Sequence, residues 1–67
     1  MMIFINNEKK EVETGNKLSK LLEQLNLLQK RGIAIAINNE VIPKVEWDSQ
    51  PLQDGDKITI ITATQGG

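Results

Sequence analysis

The sequence predicts an α+β roll: a mixed five-stranded sheet, in chain order β-β-α-β-β-β, packed on one main helix. Three observations predict it. Leu18, Leu21, Leu22 and Leu25 recur at i, i+3, i+4 and i+7, which is one stripe of a helix. Ile33, Ile35 and Ile37, and again Ile58 and Ile60, recur with the two-residue period of a strand. A chain of 67 residues with a single helical stripe can cover only one face of one sheet. Residues 1–67 are therefore expected to form a single domain, with 63–67 as a flexible C-terminal tail.

The elements follow in order. Met1 to Ile5 is rich in β-branched and aromatic residues and reads as a strand. "NNEKK" (6–10) reads as a polar turn, and "EVETG" (11–15), with Val12 between Glu11 and Glu13, as the returning strand. The helix is expected over "NKLSKLLEQLN" (16–26), with Asn16 capping its first turn and Thr14 as the rival cap. Asn26 tolerates the left-handed conformation that ends helices, although Leu28 could carry the pattern another turn; Gly32 is the firm limit. Residues 33–37, apolar on both faces through Ala34 and Ala36, are expected as a central strand. "NNE" (38–40) turns the chain into a short strand, "VIP" (41–43), limited by Pro43. Asp54-Gly55-Asp56 reads as a turn, and Lys57 to Thr62 as the last strand, with Ile61 facing away from Ile58 and Ile60.

Composition excludes several functions. The chain has no cysteine and no histidine. Disulfides, thiolate metal sites and the commonest general base near neutral pH are therefore unavailable. Eight basic and nine acidic side chains, interspersed, give a net charge of −1. A nucleic-acid partner would need a clustered basic surface. No apolar run exceeds five residues, against about 20 for a membrane-spanning helix. The expectation is a cytoplasmic protein with no metal, no cofactor of its own, and no membrane or nucleic-acid partner.

Candidate sites are few. Asp54 and Asp56 are explained by turn chemistry rather than by acid–base or magnesium work. Lys30-Arg31 reads as a solvated helix end. Trp47 is either a lid on the small core or a partly exposed anchor for a partner, with the core reading leading. The tail remains. After Thr62 the chain runs Ala63-Thr64-Gln65-Gly66-Gly67. Glycines thread a narrow cleft because they lack Cβ. The terminal carboxylate becomes electrophilic once activated, and in a chain without a thiol any covalently carried sulfur must sit there.

The order β-β-α-β-β-β with a diglycine end resembles the ubiquitin-like β-grasp fold. "LLEQL", "IAIAINNEVIPKVEW", "LQDGDKITII" and the final "GG" together resemble the sulfur carrier family of thiamin biosynthesis over essentially the whole chain. That resemblance implies a carrier rather than an enzyme, and a monomer when free. It implies that an E1-like adenylyltransferase activates Gly67, and that a sulfur-transfer enzyme (a cysteine desulfurase or similar) converts it to a thiocarboxylate. Thiazole synthase then takes the sulfur. Gly66 and Gln65 would thread the partners' active sites, and Trp47 and Lys44 would be partner contacts. One departure is Lys44, where arginine is expected after the Ile-Pro pair; lysine keeps the charge but loses the bidentate fork. The rivals are the small subunit of molybdopterin synthase, with the same tail but another acceptor, and a β-grasp interaction module whose diglycine is accidental. The former family is usually longer and lacks the Pro-x-x-x-Trp stretch.

Overall fold

A computed structural model describes residues 1–13 and 15–62. Its elements are β1 (Met2–Ile5), β2 (Glu8–Glu11), α1 (Leu18–Gln24), β3 (Ile33–Ile37), β4 (Glu40–Val41), a 3-10 turn (Lys44–Glu46) and β5 (Lys57–Thr62). The sheet order is β2-β1-β5-β3-β4, with β1 and β5 parallel and the other neighbours antiparallel. The leucine stripe of α1 packs on one face of this sheet. Ile3, Leu18, Leu21, Leu22, Ile35 and Ile58 are fully buried there. Helix and sheet meet as expected from the two periodicities.

The N-terminal end of α1 departs from expectation, and its C-terminal end is where Asn26 was expected to place it. Lys17, not Asn16, occupies the N-cap position and supplies no side-chain bond. The loop after the 3-10 turn caps the helix instead: the N–H of Leu18 donates to Gln50 C=O (2.8 Å) and that of Ser19 to Trp47 C=O (3.1 Å). Those carbonyls satisfy orphan donors that Asn16 was expected to serve. Thr14, the rival cap, lies outside the described residues. At the other end Asn26 takes φ +61°, Asn26 N–H donates to Glu23 C=O and Leu27 N–H to Leu22 C=O. This pair of bonds is a Schellman motif, and it stops the helix well before Gly32. Lys30 and Arg31 are therefore exposed in the following loop rather than at a helix end.

The strands also differ in place. Glu8 to Lys10, expected as turn, form β2 together with Glu11, running from Ile5↔Glu8 to Met2↔Glu11 against β1, with all four residues exposed. An edge strand with charges on both faces has no hydrophobic alternation to betray it, and its charges protect the edge from further pairing. The turn shrinks to Asn6-Asn7, at φ +49° and +72°. Asn38 and Asn39 repeat this between β3 and β4, at φ +51° and +71°. Two central residues with positive φ define the type I′ turn that matches the twist of a hairpin. β4 ends at Val41 rather than Pro43. The middle strand is β5, not β3; Ala34 is exposed because the single helix leaves the opposite face of the sheet uncovered.

Candidate functional site

β5 carries the chain to its end, and it is gripped from both sides. β3 pairs its full length, from Ile37↔Ile58 to Ile33↔Thr62. β1 pairs only its start, at Phe4↔Lys57 and Ile5↔Ile58. Where β1 turns away, the carboxamide of Asn6 continues the ladder. Ile60 N–H donates to Asn6 Oδ1 (2.8 Å), and Asn6 Nδ2 donates to Ile60 C=O (3.3 Å). At the start of β5 the other turn acts similarly: Lys57 N–H donates to Asn38 Oδ1 (3.0 Å) and Asn38 N–H to Lys57 C=O (2.8 Å). Asn38 Nδ2 also donates to Asp56 Oδ1 (3.0 Å). The two asparagines were not singled out from the sequence. The signal was present as a tetrapeptide, Ile-Asn-Asn-Glu, that occurs at 5–8 and again at 37–40.

Asp56 bonds the backbone of its own turn, as expected, whereas Asp54 bonds a backbone N–H of β1, far along the chain. Asp54 Oδ1 accepts from Met2 N–H (2.7 Å), and Asp56 Oδ2 from Gln53 N–H (2.8 Å). Gly55 sits at φ +87°, the third position of a type II turn closed by Asp56 N–H to Gln53 C=O. Asp56 is buried with both oxygens occupied. Among the described residues, no three potential metal ligands come together.

Trp47 takes its core reading. It is 4% exposed, and its Nε1 donates to Ile42 C=O at 3.0 Å. A side chain sealed and bonded inside its own chain cannot be an exposed anchor; it shapes the 43–50 loop instead. Lys44 is the exposed member of the pair, its ammonium 6.0 Å from the indole centroid. This is the outer limit of a cation–π contact. The two candidates are thus neighbours with different tasks.

The uncovered face of the sheet carries exposed apolar side chains beside β5. Strand alternation opposes it to Ile35 and Ile58, and the register sets Ala34 beside Ile61 and Ala36 between Thr59 and Val41. Val41 is 69% and Ile61 58% exposed. Phe4, half-buried, stands on the same face of β1, opposite the exposed Lys57. Gln65, Gly66 and Gly67 lie outside the described residues, beyond the end of β5 at Thr62.

The chain has counterparts among known proteins. The ThiS family model matches residues 3–67, so the match reaches the diglycine. The chain belongs to the ThiS family. It is 36% identical to the sulfur carrier protein ThiS of Escherichia coli (strain K12) over 67 residues, all of both chains. It is 32% identical to the sulfur carrier protein ThiS of Thermus thermophilus over 66 residues, covering 98% of this chain and all of the other. The crystal structure of the thiamine biosynthesis protein ThiS from Geobacter metallireducens superposes with a TM-score of 0.85 at 23% identity, each chain fully covered. A solution structure of a thiamine biosynthesis protein from the same organism gives 0.80 at 23% identity, covering all of this chain and 88% of that one. The ThiS neighbours share the β-grasp roll. No helix among the described residues is long and apolar enough to cross a membrane.

Proposed function

We propose that this chain is a cytoplasmic sulfur carrier of thiamin biosynthesis, acted on by enzymes rather than being one. The observation that carries the reading is the full-length ThiS match ending on Gly66-Gly67. The carboxylate of Gly67 attacks the α-phosphorus of ATP in an E1-like adenylyltransferase, releasing pyrophosphate. The terminal sulfur of a persulfide on a sulfur-transfer enzyme, such as a cysteine desulfurase, attacks the acyl-adenylate and AMP leaves. A second thiol then cleaves the S–S bond of the acyl disulfide, forming a new disulfide with the enzyme's cysteine and freeing the thiocarboxylate. The thiocarboxylate then enters thiazole synthase. Two glycines and Gln65 form the slender end that threads each active site, since glycine presents no side chain to the cleft walls.

The open sheet face supports the same reading. Val41, Ile61 and Phe4 offer apolar area on which an enzyme can seat the body while the tail is drawn into its active site. Lys44 adds a charge that such a partner can pair. The test is the intact mass after incubation with the E1-like adenylyltransferase, ATP and a sulfur source. One oxygen replaced by one sulfur, located at Gly67, is the expected product. Deleting Gly67 withdraws the carboxylate by about 3.3–3.6 Å and abolishes loading, because displacement by ~1 Å already costs up to 10²-fold. Normal loading of the deletion variant would refute the carrier reading and leave an interaction module.

A further inference from the structure

We infer that Asn6 is a positioning residue for the C-terminal tail, pinning the last segment of β5 through the two hydrogen bonds its carboxamide makes to Ile60. The inference rests on the carrier reading above and extends it to a residue remote in sequence from the tail. In a parallel ladder, Ile60 N–H would donate to the backbone C=O of the next β1 residue. Asn6 instead takes φ +49° and starts the type I′ turn, so the β1 backbone is no longer available. Its side chain has the donor and acceptor of a peptide group, and both are used: Oδ1 on Ile60 N–H and Nδ2 on Ile60 C=O. The backbone N–H of Asn6 meanwhile holds Ile58 C=O at 2.9 Å. One residue therefore closes the β1 side of β5 at two successive inward-facing positions. Among the described residues, Ile60 to Thr62 is otherwise paired only by β3.

The physical consequence concerns order rather than contact with substrate. Without the carboxamide, residues 60–62 are held from one side, and their fraying adds to the residues that must be ordered at a partner's active site. Each residue that must be re-ordered when a tail is drawn into an active site costs about 5–30-fold in that equilibrium. Asn6 is not one of the apolar residues on which the body is proposed to seat, so the loss is expected in kcat of adenylation rather than in KM.

The experiment compares Asn6→Gly with Asn38→Gly and Asn7→Gly. Glycine keeps the positive-φ turn in each case and removes only the side chain. Asn38→Gly destabilises the fold without touching Ile60; Asn7 has no side-chain hydrogen bond among the described residues. Adenylation is followed by pyrophosphate exchange with the E1-like adenylyltransferase and ATP, well below every variant's Tm. Amide exchange of Ile60 and residual dipolar couplings of Ile61 and Thr62 report the geometry without a partner. Asn6→Gly should lower kcat about 10-fold with KM within about twofold, unprotect Ile60 N–H, and change both dipolar couplings. Asn38→Gly and Asn7→Gly should leave kcat within about twofold. Asn6→Asp keeps the Ile60 N–H acceptor and should recover part of the loss. If Asn6→Gly frees Ile60 N–H yet turns over like Asn38→Gly, the positioning role is overturned and the carrier reading stands. If the wild-type chain is not adenylated at Gly67, the carrier reading itself fails.

Discussion

The two hairpins of this protein are built on the same four residues and do different work. Ile5-Asn6-Asn7-Glu8 and Ile37-Asn38-Asn39-Glu40 each make a type I′ turn, and in each the first asparagine reaches across to β5. The second hairpin is anchored in the interior. Ile37 is buried, and Asn38 is tied to the buried carboxylate of Asp56, which itself holds the turn that starts β5. The first hairpin lies at the wet edge: Ile5 is half-buried, β2 is exposed throughout, and the Asn6 bonds to Ile60 are solvent-facing. Identical local sequence thus gives one turn tied into the interior and one held at the exposed edge. The difference lies in what each turn meets.

Stability measurements should separate the two. The largest effect is expected at the isoleucines: Ile37→Ala should cost about 2–5 kcal/mol by urea denaturation. Ile5→Ala should cost about 1–2 kcal/mol, since part of that side chain remains in water in the folded state. Equal losses would mean that the hairpins are equally anchored. Next come the first asparagines. Asn38→Gly leaves Asp56 Oδ1 without its donor at a buried site and should cost about 1–3 kcal/mol; Asn6→Gly breaks exposed bonds and should cost about 0.5–1.5 kcal/mol. The reverse order would show that the β1 edge, not the Asp56 turn, limits stability. The smallest effects are expected at the second asparagines. Asn-Gly is the favoured type I′ pair, while glycine raises the entropy of the unfolded chain, so Asn7→Gly and Asn39→Gly should each shift stability by no more than about 0.5 kcal/mol. A larger loss at either position, read as a fall in Tm, would reveal a side-chain contact that neither turn displays.

Legibility followed burial. Leu18, Leu21 and Leu22, Ile35 and Ile58 were read from their spacing and form the buried centre, because a hydrophobic period is itself the record of which face is dry. Gly55, Asp56 and the left-handed Asn26 were read from residue chemistry that acts within a few bonds, whereas the bond of Asp54 to Met2 spans the chain. β2 was expected at 11–15 and lies at Glu8–Glu11, because a charged edge has no dry face to fix its place. The Asn16 cap failed for another reason: the N–H groups of Leu18 and Ser19 found carbonyls at Gln50 and Trp47, some thirty residues away.

The sequence by itself determined the element order, the leucine and isoleucine core, the positions of tight turning and the diglycine end that the ThiS match includes. These depend on periodicity and on backbone preferences local to each residue. Tertiary structure alone decided that β5 is the middle strand, that Trp47 is sealed inside, that loop carbonyls cap α1, and that Asn6 and Asn38 hold the two parts of β5. Each of these depends on a partner far along the chain. A hydrogen-bonding group states what it needs in its own chemistry, but which group answers it is settled only when the sheet has closed over the helix.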